Sequence, residues 1–219
     1  KTCDGIIKLK PTLVQLSLMA YKPWVSKYQI RMVEEGPLPD FFERKELMEV
    51  IHKKLKSAGY IRTGFECYSL PDSPMTKAYE TGEAHYGASG HQPGGRVNFI
   101  AVGSSSMSNL GNDYYVQNFY DIKSYKKALD KGLLPAFRGL KLSEDDKIRQ
   151  HATQQIRSYF KLDFKNFKRQ FNINFKEYFS NEIKFLDELE KDGLVEIQEE
   201  SILVTEIGQD YVQNIMNIF

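Results

Sequence analysis

The segment Gly103 to Met107 is the part of the sequence whose residue types could most readily take part in chemistry. It consists of a glycine, three serines and a methionine. The apolar residues before it, 97–102, predict a buried strand, and a glycine at the end of a strand lets a ligand approach the backbone closely. The segment lacks the second glycine of a nucleophile elbow, and no histidine follows at a useful spacing, so a serine nucleophile is not predicted. From the residues alone, a plain reversal of the chain is the favoured interpretation of this turn. The alternative is that the turn presents its backbone to a bound molecule.

Metal ligands and redox groups are sparse. Cys3 and Cys67 are the only cysteines and stand far apart, which predicts neither a disulfide framework nor a metal cluster. No pair among the four histidines has a metal-binding spacing. His85 and His91 lie at the glycine-rich stretch 87–95, where they could meet an anionic ligand, although exposed loop histidines commonly have no role. We therefore assign no metal ligand and no catalytic residue in this chain.

The overall composition is that of an ordinary globular chain, with 219 residues, of which 41% are hydrophobic and 27% are charged. The apolar runs are far shorter than the roughly 18–20 residues of a membrane span. Because no signal-peptide pattern is present either, we expect a cytoplasmic protein. Charge is unevenly distributed, with 20 basic and 14 acidic residues in 1–142 but 10 and 15 in 143–219. The basic excess suits an anionic small molecule, and it is equally typical of a solvated surface.

The first half of the chain predicts strands alternating with a helix. The predicted order is a helix at 2–10, a strand at 13–20, a helix at 41–58, a strand at 61–70, a loop at 87–95 and a strand at 97–102. The first two strands and the helix between them have the spacing of a βαβ unit.

The pattern becomes mostly helical after about residue 142. We predict helices at 143–160, 164–171 and 175–191, a hairpin formed by 194–197 and 202–204, and a last helix at 205–219. Three helices and a hairpin are typical of a winged-helix unit, which would be a separate small domain. Winged helices often bind DNA through the third helix, but here that helix carries five acidic residues. Domain packing is therefore favoured over nucleic-acid binding.

Several motifs together are similar to one enzyme family. They are MAYKPW at 19–24, FIAVGSSSMS at 99–108, YVQN at 115–118, RGLKLSEDDKIR at 138–149 and DGLV at 192–195. On these motifs the chain resembles the C-terminal half of the oxygen-independent coproporphyrinogen III oxidase family, whose members are radical S-adenosylmethionine (SAM) enzymes. The resemblance covers nearly the whole chain and is most specific toward its end.

The resemblance implies an α/β fold. It would comprise the last strands and helices of a partial, six-strand (β/α) radical SAM barrel, followed by a mostly helical, winged-helix-like domain. Residues 1–110 would belong to the barrel, residues 111–142 would form a connecting segment, and residues 143–219 would form the C-terminal domain.

The resemblance also implies a reaction. In the family, an electron from a 4Fe–4S cluster splits SAM, and the resulting radical takes hydrogen from a propionate of coproporphyrinogen III. Loss of CO2 and of an electron then leaves a vinyl group, giving protoporphyrinogen IX. The three cluster cysteines have no counterpart here, so the chain alone is expected to be inactive and to bind no cofactor, while the parent would hold both SAM and the cluster. The expected partner is a tetrapyrrole, without membrane or nucleic acid, and self-association through the incomplete barrel is also expected.

Three residues are carried over as SAM-binding. Ala20 falls on a SAM-contacting alanine, Met107 on an isoleucine that contacts SAM through its backbone, and Ser89 replaces a glutamine that helps to hold a SAM molecule. No substrate-binding residue is assigned. Two segments depart from the family, because MDHFA is FECYS at 65–69 here and HRNFQGYT is HYGASGHQ at 85–92.

Two alternatives therefore stay open. The first is a related radical SAM protein acting on haem, either a haem chaperone, whose HNxxYW signature is not found at His85, or an anaerobic haem-degrading enzyme. The second is a non-catalytic interaction module built on the winged helix. Changes in porphyrin absorbance would favour the first, and salt-sensitive retention on DNA the second.

Overall fold

The computed structural model describes the chain except for residues 18, 25, 26, 35, 88, 89, 96, 97 and 112. The chain divides into two compact units, Lys1–Thr76 and Lys77–Phe219. Both units contain helices and strands, so the predicted α/β class is confirmed.

The first unit has one long helix between its strands. Its elements are α1 (Thr2–Leu9), β1 (Leu13–Gln15), a 3-10 turn (Lys27–Gln29), α2 (Ile30–Glu34), α3 (Phe41–Ser57), β2 (Ile61–Arg62), β3 (Cys67–Ser69) and the start of α4 (Pro74–Thr81). The helix α3 begins as predicted because Asp40 and Glu43 form a capping box, in which each side chain accepts a hydrogen bond from the other's backbone N–H at 2.9 Å. It ends before Gly59, whose φ of 87° suits glycine.

The three strands form one antiparallel sheet in the order β1–β3–β2. The prediction of a single strand over 61–70 is wrong, because Gly64 (φ 125°) and Glu66 (φ 59°) reverse the chain between β2 and β3. The strands β1 and β2 are both antiparallel to β3 and so run in the same direction, but β3 lies between them. They do not form the adjacent parallel pair of a simple βαβ unit. β1 is also shorter than predicted and ends at Gln15.

The apolar core of the first unit lies between α3 and this sheet. It consists of Val14, Leu55, Tyr60 and Tyr68, with Ile51 and Ala58 packed against it. The apolar spacing of Leu47, Ile51, Leu55 and Ala58 predicts that these residues share one buried face of α3. The prediction is confirmed over the C-terminal half of the helix, whereas Leu47 is exposed.

The described part of the second unit begins with short antiparallel strands and ends in a helical region. Its elements are β4 (His85–Gly87), β5 (Gly90–Gln92), β6 (Met107–Leu110), β7 (Tyr114–Asn118), α5 (Ile122–Asp130), β8 (Ala136–Lys141), α6 (Glu144–Tyr159), β9 (Lys161–Asp163), α7 (Phe164–Phe171), α8 (Phe175–Tyr178), α9 (Ser180–Lys191), β10 (Val195–Ile197), β11 (Ser201–Val204), a 3-10 turn (Gly208–Asp210) and α10 (Val212–Met216). β4 and β5 form a hairpin, β6–β7–β8 form a meander, and β10–β11–β9 form a third sheet.

Two predictions between residues 85 and 102 are wrong. The glycine-rich stretch is not simply a loop, since its residues contribute to the β4–β5 hairpin. The predicted strand at 97–102 is reduced to a single bridge between Phe99 and Asn109, and residue 97 lies outside the described residues. The ladder does not continue because the Ala101 N–H donates to the Ser108 hydroxyl at 3.0 Å instead of to a strand carbonyl.

The helical region after residue 142 largely follows the prediction. Ser143 caps α6 through a reciprocal pair of hydrogen bonds with Asp146, at 3.1 and 2.8 Å. The predicted third helix is divided into α8 and α9 at Phe179, and the last helix is shorter than predicted. The strand β9 was not predicted. The core of the region after residue 142 includes the fully buried Phe167, Phe175, Phe179, Ile156, Leu162, Leu186, Ile202 and Ile215.

Candidate functional site

A tight turn precedes β6, and one amide side chain holds it in place. Gly103 has a φ of 109°, a conformation that favours glycine. The Asn118 Nδ2 donates to the Gly103 carbonyl at 3.0 Å and to the Ser106 Oγ at 3.1 Å. The Ser106 hydroxyl donates to the same carbonyl at 2.7 Å, and the Tyr125 hydroxyl accepts the Gly103 N–H at 3.1 Å. The Ser106 hydroxyl therefore serves to close the turn.

Met107 follows this turn at the start of β6 and is opposite Gln117 of β7. The neighbouring Asn118 N–H donates to the Ser106 carbonyl at 3.0 Å. Hydrogen-bonded and non-hydrogen-bonded pairs alternate along antiparallel strands, so Met107 and Gln117 form a non-hydrogen-bonded pair. The backbone N–H and carbonyl of Met107 consequently point away from β7. This orientation is compatible with the predicted contact through the backbone.

The helix α6 holds the base of the β4–β5 hairpin. The side chain of Gln154 binds the Tyr86 backbone twice, since its Oε1 accepts the N–H at 3.2 Å and its Nε2 donates to the carbonyl at 2.6 Å. The Arg157 guanidinium carbon lies 3.5 Å from the centroid of the Tyr86 ring, a cation–π contact. The Tyr159 hydroxyl donates to the Ala84 carbonyl at 2.8 Å. These contacts fix the backbone of the first hairpin strand against the helix.

His91 is part of this hairpin and is buried, which corrects the expectation of an exposed loop histidine. Its ring is 2% exposed and meets the Tyr86 ring edge-on, with centroids 5.0 Å apart. Burial is the main cause that lowers the pKa of His91 to about 4, and the charges of Arg157 and His85 act in the same direction. At neutral pH His91 is uncharged and cannot attract an anion by its own charge.

The three residues predicted to bind SAM occupy separate parts of the sequence. Ala20 belongs to the first unit, is exposed, and its carbonyl accepts a hydrogen bond from the Gln29 side chain at 3.1 Å. Met107 belongs to the second unit. Ser89 lies outside the described residues. Their role in binding SAM stays a prediction.

The divergent segment at 65–69 contributes to a buried set of hydroxyl and thiol groups in the first unit, termed here the hydroxyl network. Its members are Thr63, Cys67, Ser69, Ser73 and Thr76, all buried. The Ser69 Oγ lies 3.0 Å from the Thr63 Oγ1 and 2.7 Å from the Thr76 Oγ1. Burial raises the pKa of the Cys67 thiol to about 11, so this sulfur is protonated at neutral pH.

Two amide side chains, those of Asn118 and Gln154, organise these sites, and sequence reasoning assigned a role to neither of them. Asn118 ends a motif that supports the resemblance, which was the one available signal. An amide that binds a distant backbone group follows no spacing rule, so Gln154 could not be found from the sequence.

The fold and motifs agree with a family model that the chain matches. Residues 142–211 match the HemN C-terminal domain. This match, together with the relatives described next, confirms the predicted resemblance to the oxygen-independent coproporphyrinogen III oxidases.

Individual relatives match the chain along almost all of its length. It is 31% identical over 214 residues to the oxygen-independent coproporphyrinogen III oxidase of Helicobacter pylori, covering 98% of this chain and 46% of that protein. The enzyme of the same name from Pseudomonas aeruginosa is 30% identical over 219 residues, covering 100% of this chain and 47% of that protein. The solved structure titled "Coproporphyrinogen III oxidase (HemN) from Escherichia coli is a Radical SAM enzyme" matches with a TM-score of 0.90 and 28% identity, covering 99% of this chain and 50% of that chain. The chain thus spans about half the length of the curated relatives it matches.

Neither a metal-binding cluster nor a membrane span is found in the described part of the chain. No three His, Cys, Asp or Glu side chains there are grouped so that they could hold a metal ion. None of the helices there has both the length and the apolar character needed to cross a membrane.

Proposed function

We propose that the whole protein is a radical SAM oxidoreductase of porphyrin biosynthesis, which converts propionate side chains of coproporphyrinogen III to vinyl groups and yields protoporphyrinogen IX. The observation that carries this proposal is the structural agreement of the chain, over 99% of its length and at a TM-score of 0.90, with a coproporphyrinogen III oxidase described as a radical SAM enzyme. Relatives that match 98% and 100% of the chain are named oxygen-independent coproporphyrinogen III oxidase.

A 4Fe–4S cluster does not fit the residues of this chain. Such clusters are held by cysteine thiolates, and the sequence offers only Cys3 and Cys67. The buried Cys67 is protonated, because its pKa is raised to about 11. We therefore place the cluster in the part of the parent outside this chain. Iron analysis checks this, since a stoichiometric cluster on this chain after anaerobic reconstitution would contradict it.

The contribution of this chain to SAM binding would be positional. When bound, SAM supplies the radical that removes hydrogen from a substrate propionate. We propose that Ala20, Ser89 and the backbone of Met107 contact SAM. The orientation of the Met107 backbone away from β7 supports this assignment, as does the turn braced by Asn118 immediately before it. A braced backbone would hold its groups in place without reorganisation on binding.

The finer fold assignment is also a proposal. We assign residues 1–110 to the end of a partial barrel, 111–142 to a connecting segment and 143–219 to a winged-helix-like domain. The order of β1, α3 and β2 along the chain, strand then helix then strand, supports the barrel. The helices α6 to α9 followed by the β10–β11 hairpin support the winged helix.

A haem-directed relative is the second candidate, and the segment at 65–69 favours it. Where the family has Asp and His, this chain has Glu66 and Cys67, and Cys67 lies inside the hydroxyl network. The interaction module has less support, because Glu182, Asp187 and Glu188 make α9 acidic and therefore unsuited to phosphates. Self-association through the incomplete barrel stays a proposal, supported by the exposed Ile100 and Val102 and measurable by light scattering.

Anaerobic turnover of coproporphyrinogen III by the full-length parent tests the main proposal. The parent is reconstituted with its cluster and given SAM and a reductant, and vinyl product and 5′-deoxyadenosine are followed together. We expect both products. Deoxyadenosine without vinyl product would move the substrate to another tetrapyrrole such as haem, and absence of both would contradict the radical SAM assignment.

A further inference from the structure

Arg138 of β8 lies in a row of three residues that crosses the β6–β7–β8 sheet. Met107 is opposite Gln117, and Gln117 is opposite Arg138. Side chains of directly opposite residues share one face of a sheet. The row therefore places the guanidinium of Arg138 on the same face as the side chain of Met107, two strands away.

Gln117 holds this row in a fixed arrangement. Its Oε1 accepts hydrogen bonds from the Arg138 Nε at 2.9 Å and from the Tyr120 hydroxyl at 2.8 Å. Its Nε2 donates to the Ser105 carbonyl at 3.1 Å, which ties the row to the turn before β6. One edge of the guanidinium is bound to a neutral amide. The amide fixes the orientation of the Arg138 guanidinium without cancelling its positive charge.

A β-bulge brings a second aromatic ring to the same place. Arg138 pairs with Gln117 and Ala136 pairs with Asn118, so Phe137 is an extra residue without a partner on β7. Bulges redirect side chains, and they are frequent near active sites. Here the Phe137 ring meets the Tyr120 ring edge-on, with centroids 5.5 Å apart. The Arg138 guanidinium carbon lies 5.9 Å from the centroid of the Tyr120 ring.

These side chains are accessible and the charge is not neutralised locally. Tyr120 is 51% exposed, Phe137 is 52% exposed, and Arg138 is exposed. Among the residues that the structure describes, the groups found against Arg138 are an amide and an aromatic ring, both uncharged. Two half-exposed rings beside an oriented guanidinium suit a flat apolar ring that carries a carboxylate, because arginine binds carboxylates through parallel N–H groups.

We infer that Tyr120, Phe137 and Arg138 form a substrate-binding site for one propionate-bearing pyrrole ring of the tetrapyrrole, with Gln117 as the residue that positions Arg138. This rests on the proposed function, which supplies a substrate with such rings. The carboxylate pairs with Arg138, and the pyrrole ring packs on Tyr120 and Phe137.

The test uses the reconstituted full-length parent with Arg138→Ala, Arg138→Lys and the matched control Lys141→Ala. Lys141 is an exposed cation on the same strand, an odd number of residues away and therefore on the opposite face. Loss of a charge-assisted hydrogen bond predicts that Arg138→Ala raises KM for coproporphyrinogen III roughly 10- to 100-fold. KM for SAM should stay within about twofold. Arg138→Lys should fall between, and Lys141→Ala should match the wild type.

Two results would overturn the inference. An unchanged KM for coproporphyrinogen III in Arg138→Ala would show that no carboxylate binds there, while wild-type turnover would leave the proposed function standing. An equal rise in both KM values would indicate a structural role. If the wild type gives no product, the proposed function fails, and a fluorescence titration of the same parent variants with coproporphyrin III decides the site. Weaker binding of coproporphyrin III to Arg138→Ala but not to Lys141→Ala then supports the proposed site. Equal binding to Arg138→Ala and the wild type refutes it.

Discussion

The two units have interiors of different chemistry. The first contains the hydroxyl network, in which Thr63, Ser69 and Thr76 are at most 1% exposed and bind one another. The second contains a phenylalanine cluster formed by Phe167, Phe175 and Phe179, whose rings lie 4.8 to 5.9 Å apart. Hydrogen bonds in a buried network are directional, so removing one group leaves a particular partner unsatisfied. The stability of an apolar cluster depends instead on how completely its side chains fill the space. The two units should therefore respond differently to substitutions of similar size.

The largest effect is expected in the phenylalanine cluster. Phe167→Ala leaves a cavity next to the Phe175 and Phe179 rings and should lower the free energy of unfolding by about 3–5 kcal/mol. Urea denaturation measures it. The matched control is Phe185→Ala, because Phe185 is 59% exposed, and its cost should stay under about 1 kcal/mol. Equal losses in the two variants would contradict the packing argument.

His91 is a buried, titratable residue of the second unit and gives the next largest effect. In the unfolded chain it takes a proton near pH 6.5, but in the folded chain only near pH 4. The unfolded state binds more protons between these values, so stability is complete above about pH 6.5 and falls as the pH is lowered toward 4, by at most about 3 kcal/mol.

Unfolding of the wild type and of His91→Gln across this pH range checks the prediction. The variant should show the shallower dependence on pH, whatever its stability at neutral pH. Identical slopes for the two proteins would mean that His91 is not the titrating group.

In the hydroxyl network, the informative change keeps the volume and removes the polarity. Thr76→Val deprives the Leu70 carbonyl and the Ser69 hydroxyl of a partner at 2.8 and 2.7 Å. The expected loss is about 1–3 kcal/mol, measured by thermal or urea unfolding. Thr12→Val, at an exposed threonine, is the control and should be nearly neutral. A neutral Thr76→Val would mean that the network does not need its hydrogen bonds.

The smallest effect should be the same in both units, because both use the same device. Asp40 and Ser143 each cap a helix through a capping box. Replacing either by Ala should cost about 1 kcal/mol in unfolding experiments. A much larger cost at one cap would show that its helix end also supports packing in that unit.

Local signals in the sequence were sufficient for the capped helices. The predicted bounds of α3 and α6 agree with the structure because Asp40 and Ser143 are of residue types favoured before a helix, and Gly59 is of the type favoured after one. The reversal at Glu66 was missed because a positive φ at a residue other than glycine has no sequence signal. β9 was missed because three residues become a strand only by pairing with β11, far along the chain.

The candidate site divides in a similar way. Gly103 and Met107 were predicted from a glycine after an apolar run and from the resemblance. The bracing by Asn118, the clamp of Gln154 on Tyr86 and the Gln117–Arg138 pair were not predicted, because each depends on which strands and helices become neighbours. Tertiary pairing decides these contacts.

The unpaired Phe137 has a consequence for changes in chain length. Elsewhere in the meander, removing one residue from β8 would turn every following side chain to the other face of the sheet. At Phe137 the deletion would leave Ala136 opposite Asn118 and Arg138 opposite Gln117, as they are now. The strand could therefore lose Phe137 and keep the register of its remaining pairs, at the cost of an aromatic ring.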